Sequence, residues 1–169
     1  MLFSNFVVKD AIIPDLKATC VREAIDAMLA SLCEAGAFEA DDYDSVLEVV
    51  LKREKLGSTA IGKSRMIPHA KSPMVKQSVG CVAICRDGIK SSSVDKSAIK
   101  ILFLLLSPPD RPGDHLRCLE NISRRSADSA FRSQILGSQS TEEIWDVLLE
   151  SDEGRLVFAP SFNELISSR

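Results

Sequence analysis

Residues 51–71 read LKREKLGSTAIGKSRMIPHAK, and what this stretch does decides what the chain folds into. Gly57–Ser64, GSTAIGKS, satisfies G-x-x-x-x-G-K-[ST], the pattern of a loop whose backbone N–H groups wrap nucleotide phosphates. Five residues after Ser64 comes His69, one of two histidines in the chain, directly behind Pro68. The first reading needs a buried strand before the loop and a helix starting at Lys63-Ser64. The second takes His69 as a nucleophile that carries a phosphoryl group, with the glycines shaping the backbone beside it.

The flanks decide against a nucleotide loop. The preceding SVLEVVLKREKL has helical periodicity, and Pro68 and Pro73 follow Lys63 too closely for a helix to pass. The apolar run at 99–106 has no acidic residue at its end to hold magnesium; Asp110 comes only after two prolines. The GKS match is therefore read as accidental, and nucleotide binding through Gly57–Ser64 stays a remote alternative.

Outward from this stretch, Asp41 or Asp42 caps a helix whose Val46, Leu47, Val50 and Leu51 face inward. It ends near Lys55, which puts Arg53 in the last turn, where the dipole favours a cation. Before it, Phe6–Ile13 reads as a strand stopped by Pro14. Thr19 then caps a helix through Glu34, with Val21, Ile25, Met28, Leu29 and Leu32 on one face and Gly36 as its stop. Ser58–Ile67 reads as irregular. Lys76–Arg86 alternates as a strand and Asp87-Gly88 as a turn. Ala98–Leu106 is a strand buried on both faces. After the proline-rich loop 107–114, Asp114 caps a helix opened by His115, with Leu116, Leu119 and Ile122. A short helix fits Ser126–Leu136, closed by Gly137, and Ser140–Glu143 has capping-box spacing for a last helix burying Ile144, Val147 and Leu148. This order of elements indicates a mixed sheet between helices.

The totals exclude several function classes. A chain of 169 residues holds one domain with a proper core. A net charge of −3 offers no basic field for nucleic acid. The N-terminus, broken by Lys9 and Asp10, does not read as a signal peptide, and the run Ile101–Leu106 is too short to span a bilayer. Cys20, Cys33, Cys81, Cys85 and Cys118 never fall at C-x-x-C spacing, which fits reduced thiols in a cytoplasmic protein rather than disulfides or a metal site. No metal and no cofactor are expected.

A histidine carrier needs its phosphoryl charge compensated by a guanidinium, backbone N–H groups and a neutral N–H donor. Arg53, the Ser58-Thr59 loop and His115 are the candidates. Pro68 fixes the backbone just before the His69 imidazole, and neutral imidazole is a good nucleophile near pH 7.

The combination Arg53-Glu54, Gly57-Ser58-Thr59, Ile61-Gly62, Ile67-Pro68-His69 and His115-Leu116 with Leu119 resembles the type-2 EIIA domains of the bacterial phosphoenolpyruvate-dependent sugar phosphotransferase system, the fructose/mannitol/nitrogen-regulatory family. The resemblance covers roughly residues 5 to 150. It implies a three-layer α/β/α sandwich around a central mixed sheet, an α/β fold of α+β type. It implies that His69 accepts a phosphoryl group from HPr or a nitrogen-branch HPr-like carrier and passes it to a IIB domain, or signals through regulatory target proteins. His115 would hydrogen-bond the phosphoryl group and Arg53 would offset its charge. Residues 1–150 would form the domain and 151–169 a tail of the same unit.

Three residues depart from the family's G-x-G-[IV]-A-I-P-H: Ser64 for the second glycine, Arg65 for an apolar residue, and Met66 for alanine. Arg65 is expected to point to solvent. The GSTAIGKS wording and the absence of fused IIB or membrane segments favour a nitrogen-regulatory protein over a sugar IIA. The alternative is a non-catalytic regulatory binding module on the same fold.

Overall fold

The structure, a computed structural model, describes residues 1–91, 93 and 95–154; the remainder of the expected C-terminal tail lies outside the described residues. Helices α1 (Phe3–Phe6), α2 (Val21–Glu34) and α3 (Tyr43–Leu56) come first. Strands β1 (Ala60–Gly62), β2 (Arg65–Met66), β3 (His69–Lys71), β4 (Val79–Ile89) and β5 (Ile99–Ser107) follow, then α4 (Pro112–Ser126), α5 (Ser129–Gly137) and α6 (Thr141–Asp152).

Strand β5 is the axis of the sheet. It pairs antiparallel with β4 along one side, and parallel with both β2 and β3 along the other. Strand β1 extends the sheet beyond β2 as an antiparallel hairpin. Because side chains alternate along a strand, β5 feeds two cores. Leu102, Leu104 and Leu106 pack with α2 and α3, together with Cys81, Ala83 and Cys85 of β4. Ile101, Phe103 and Leu105 pack with α1, α4, α5 and α6, together with Val82 and Ile84. The result is the expected three-layer α/β/α sandwich, with the mixed sheet as the middle layer. Helix α2 ends as expected where Gly36 takes φ of 86°, and Ser140 Oγ caps α6 by accepting from Glu143 N at 3.1 Å.

Several expectations are corrected. Phe6–Ile13 is not a strand. Phe3 and Phe6 form one helical turn that inserts into an aromatic cluster with Phe103 and Phe131, and the following segment touches β4 only through single bridges at Val7 and Ile13. Packing of two phenylalanines outweighs the local β propensity. Asp87-Gly88 is not a turn between strands. The pairing of β4 with β5 shifts between Ile84↔Ile101 and Ile89↔Ile99, a bulge, and Gly88 at φ of 76° lets β4 continue. Ser58–Ile67 is not irregular throughout, because it contains the β1–β2 hairpin. Helix α4 begins at Pro112, not at His115, so His115 sits a full turn inside; proline at the first position needs no N–H donor there. Leu116 of this helix is exposed. Helix α5 starts at Ser129, because Asp128 accepts from Ala130 N and caps it.

Candidate functional site

The chain reaches His69 by running along the edge of β5 twice. Met66 pairs with Leu102 and His69 with Leu105, and Ile67-Pro68 bridges the gap between the two short strands. Pro68 has no N–H to offer, but its carbonyl accepts from Leu105 N at 2.9 Å. Ile67 N donates to Thr59 O at 3.0 Å, and Ile67 O is left for the imidazole: His69 Nδ1 lies 2.7 Å from it. A carbonyl oxygen can only accept, so Nδ1 carries the proton and Nε2 keeps its lone pair. Burial lowers the His69 pKa, the bond to Ile67 opposes that shift, and the Arg53 charge adds to the lowering. The ring is therefore neutral at pH 7, with one nitrogen available for attack.

His115 comes from the first half of α4, and its ring centroid lies 5.6 Å from that of His69. It is buried, and Nδ1 has no hydrogen-bond partner. Its pKa is pushed down to about 4 by burial first, then by the charges of His69 and Lys71. Arg53, in the last turn of α3, donates from Nη1 to Gly57 O at 2.9 Å. Arg53, His69, Lys71 and His115 line one hollow of about 470 Å³ between α3, β3 and α4. Sequence separations of this size collapse because β3 lies beside β5, and α4 follows β5 after a short loop.

The other two predicted site residues do not line this hollow. Ser58 is exposed and its Oγ accepts from Ala60 N. Thr59 is buried; its N–H and hydroxyl both donate to the Glu54 carboxylate, at 3.0 and 2.6 Å. Glu54 thus ties the loop to the end of α3. Nor does Gly57–Ser64 form a phosphate-wrapping loop leading into a helix. It forms the β1–β2 hairpin, with left-handed backbone at Gly62, Lys63 and Ser64 (φ 82°, 53° and 61°). Two N–H groups that a nucleotide would need are taken: Lys63 N donates to Asp95 at 2.7 Å and Ser64 N to Ser97 Oγ at 2.9 Å. The bond from Lys63 N, then those from Ser97 N, Ser97 Oγ and Ser93 Oγ, hold the Asp95 carboxyl well below the usual carboxylate range.

Arg65 does not point to solvent. It is buried on the α4 side of the sheet, where Nη1 donates to Ser123 O at 3.2 Å and Ser126 Oγ at 2.9 Å, and Nε donates to Gly62 O at 3.1 Å. Burial, then the nearby Arg132, lower its pKa. Met66 faces the opposite core. Sequence reasoning missed Lys71, although its place two residues after His69 on a strand puts both on one face. It also missed Asp95, whose bond from Lys63 N spans 32 residues of sequence. Among the described residues no cluster of three metal-ligating side chains occurs, and no helix is long and apolar enough to cross a membrane.

Residues 5–151 match the family described as phosphoenolpyruvate-dependent sugar phosphotransferase system, EIIA 2. The chain belongs to that family. EIIA domains of this type are phosphotransfer components. A nitrogen regulatory protein of Bradyrhizobium diazoefficiens is 32% identical over 148 residues, covering 88% of this chain and 95% of the relative. A fructose-specific EIIA component of Haloferax volcanii is 33% identical over 127 residues, covering 75% and 81%. The crystal structure of the nitrogen regulatory protein IIA-Ntr from Neisseria meningitidis superposes with a TM-score of 0.77 at 24% identity, covering 86% of this chain and 98% of that one. This EIIA domain thus shares its three-layer fold with a nitrogen-regulatory IIA, and its sequence with both nitrogen-regulatory and sugar-specific members.

Proposed function

We propose that this EIIA domain is a phosphocarrier whose acceptor is Nε2 of His69. The observation that carries this reading is the 2.7 Å bond from Nδ1 to Ile67 O, which commits one ring nitrogen as a donor and leaves the other as a nucleophile. Nε2 attacks the phosphorus of a donor phosphohistidine. The N–P bond to the donor breaks and its imidazole leaves with the electron pair. The new N–P bond makes the His69 ring a cation that keeps its Nδ1 proton, and Ile67 O stabilises that proton. The ring remains a good leaving group, so the phosphoryl group can move on.

Around the phosphoryl oxygens the neighbours divide the work. Arg53 lies close enough to depress His69 and offsets the negative charge. In His115, a buried Nδ1 without a partner is less costly as a lone pair than as an N–H. Its proton therefore sits on Nε2, as a neutral donor to the phosphoryl group. Ser58 and Thr59 act indirectly: with Glu54 they hold the loop whose Thr59 carbonyl fixes Ile67.

The donor is an HPr-type carrier, and the acceptor is a IIB domain or a regulatory target, in the cytoplasm. We favour the nitrogen-regulatory type, because the nitrogen regulatory relative aligns over 148 residues and the fructose component over 127, at nearly equal identity. Incubation with labelled phosphoenolpyruvate, enzyme I and an HPr-type carrier is expected to label the wild type and leave His69→Ala unlabelled. Label that survives His69→Ala sinks the reading. A pull-down with wild type and His69→Asp separates a regulator from a plain carrier: a phosphorylation-read switch changes partners on that substitution, and a plain carrier does not.

A further inference from the structure

Residues 155–169 read RLVFAPSFNELISSR and lie beyond the residues that match the family, 5–151. Leu156, Val157, Phe158, Phe162, Leu165 and Ile166 are large and apolar. A run this apolar is unfavourable in water unless a surface covers it.

The place where this segment starts points to a surface. It follows Gly154, just after the end of α6. That end is tied to the start of the chain: Asp152 accepts from Phe3 N at 2.7 Å and from Ser4 N at 2.9 Å. The Met1 amino group in turn acts on Cys118, three residues after His115 on α4. The segment therefore starts beside the half of α4 that carries His115. Its fifteen residues reach up to about 50 Å when extended.

The His69 hollow offers what such a segment needs. Leu56 and Leu116 both line it and are 81% and 66% exposed, the most exposed large apolar side chains of the described residues. Neither belongs to a core cluster, so the cores give no reason for their being apolar. Lys52, Arg53 and Lys71 line the same hollow and no carboxylate does. In the segment, Glu164 stands between Phe162 and Leu165, an acid set among apolar side chains.

We propose that residues 156–166 of this same chain dock in the hollow, their apolar side chains against Leu56 and Leu116 and Glu164 against the three cations. The open hollow is one state and the docked segment the other. The tether holds the segment near the hollow at an effective concentration on the order of millimolar, so weak contacts suffice to populate the docked state. When docked, the segment covers His69 and a donor must wait for it to leave, which slows phosphoryl acceptance. That consequence rests on His69 being the acceptor; the docking itself does not.

The test keeps the full chain. A variant carrying Phe158→Ser, Phe162→Ser and Leu165→Ser is compared with the wild type by 15N–1H NMR of the unphosphorylated protein. Amide shifts are expected to change at Val49, Lys71, Leu116 and Leu119, and the synthetic peptide 155–169, added at millimolar concentration, is expected to move them back toward the wild-type positions. Glu164→Lys is expected to move the same peaks part of the way. No change at the hollow, or changes centred on another face, overturns the docking. Wild-type shifts at the hollow that depend on protein concentration assign it to the segment of a second copy and overturn docking within the chain. With the phosphorylated HPr-type carrier below saturation, the triple variant is expected to label about three-fold faster than the wild type or more. Equal or slower labelling overturns the regulatory consequence. Failure of both proteins to label on His69 overturns the acceptor assignment, while the NMR comparison still decides the docking. Far-UV circular dichroism and melting temperature verify that the variants are folded.

Discussion

The proposed role of His69 depends on which of its nitrogens holds the proton, and both site histidines are depressed by burial first. A lowered pKa keeps His69 neutral as the pH drops below the ordinary imidazole value. Phosphoryl acceptance from a small donor is therefore expected to stay level from pH 8 to below pH 6.5, and a decline centred on 6.5 would contradict it. His115, at about 4 when folded and 6.5 ordinarily, has the opposite consequence for stability. As pH falls from 6.5 toward 4, the unfolded chain takes up its proton first, so stability is present in full above 6.5 and lost through this window. Urea titrations at pH 7 and pH 4.5 are expected to show that loss, and His115→Asn is expected to reduce it. In the proposed reaction the same variant also removes the Nε2 donor to the phosphoryl group, and it is expected to slow transfer by about a hundred-fold. The imidazole pair was legible in the sequence because Pro68-His69 and His115 stood out as the only histidines. Arg65 was not. Its neighbours in sequence said nothing of the α4 carbonyl at Ser123 that it meets across the fold.

Among the elements, periodic helices were readable and interruptions were not. The inward faces of α2 and α6 follow from apolar spacing alone, because a helix repeats the same local geometry every turn. The bulge at Gly88 and the helical turn at Phe3–Phe6 depend on partners elsewhere: β5 for the one, Phe103 and Phe131 for the other. An Asp-Gly pair looks the same at a turn and at a bulge. Gly88→Val puts a β-branched residue at φ of 76° with a Cβ 2.9 Å from that of Ala98, and is expected to destabilise by about 2–3 kcal/mol in chemical denaturation. Arg65→Met keeps the volume but removes the donors to Gly62 O, Ser123 O and Ser126 Oγ, of which Ser123 O keeps its bond from Ala127 N, and is expected to cost about 1–3 kcal/mol. A neutral or stabilising result would show that the buried cation is dispensable to α4.

Across the whole molecule, β5 organises both cores and the site. Its alternate residues serve opposite layers, its far end leads to α4 and His115, and its edge carries His69. Phe103→Ala, at the centre of the aromatic cluster, is expected to lose about 3–5 kcal/mol, whereas Leu116→Ala is expected to change stability by less than about 0.5 kcal/mol. A reversal of that order in thermal or urea unfolding would contradict the layer assignment. The three-layer plan was legible because a run apolar on every residue, Ile101–Leu106, can only be covered on both faces. The convergence of α3, β3 and α4 on one hollow was carried by the family resemblance, since spacing alone does not say which loops meet. The claim on which the rest depends is the identity of the phosphorylated atom. The most direct measurement is 15N–31P NMR of the protein after phosphorylation: the phosphorus is expected to couple to Nε2 of His69, with Nδ1 still protonated. Coupling to Nδ1, to His115, or to no histidine would contradict it.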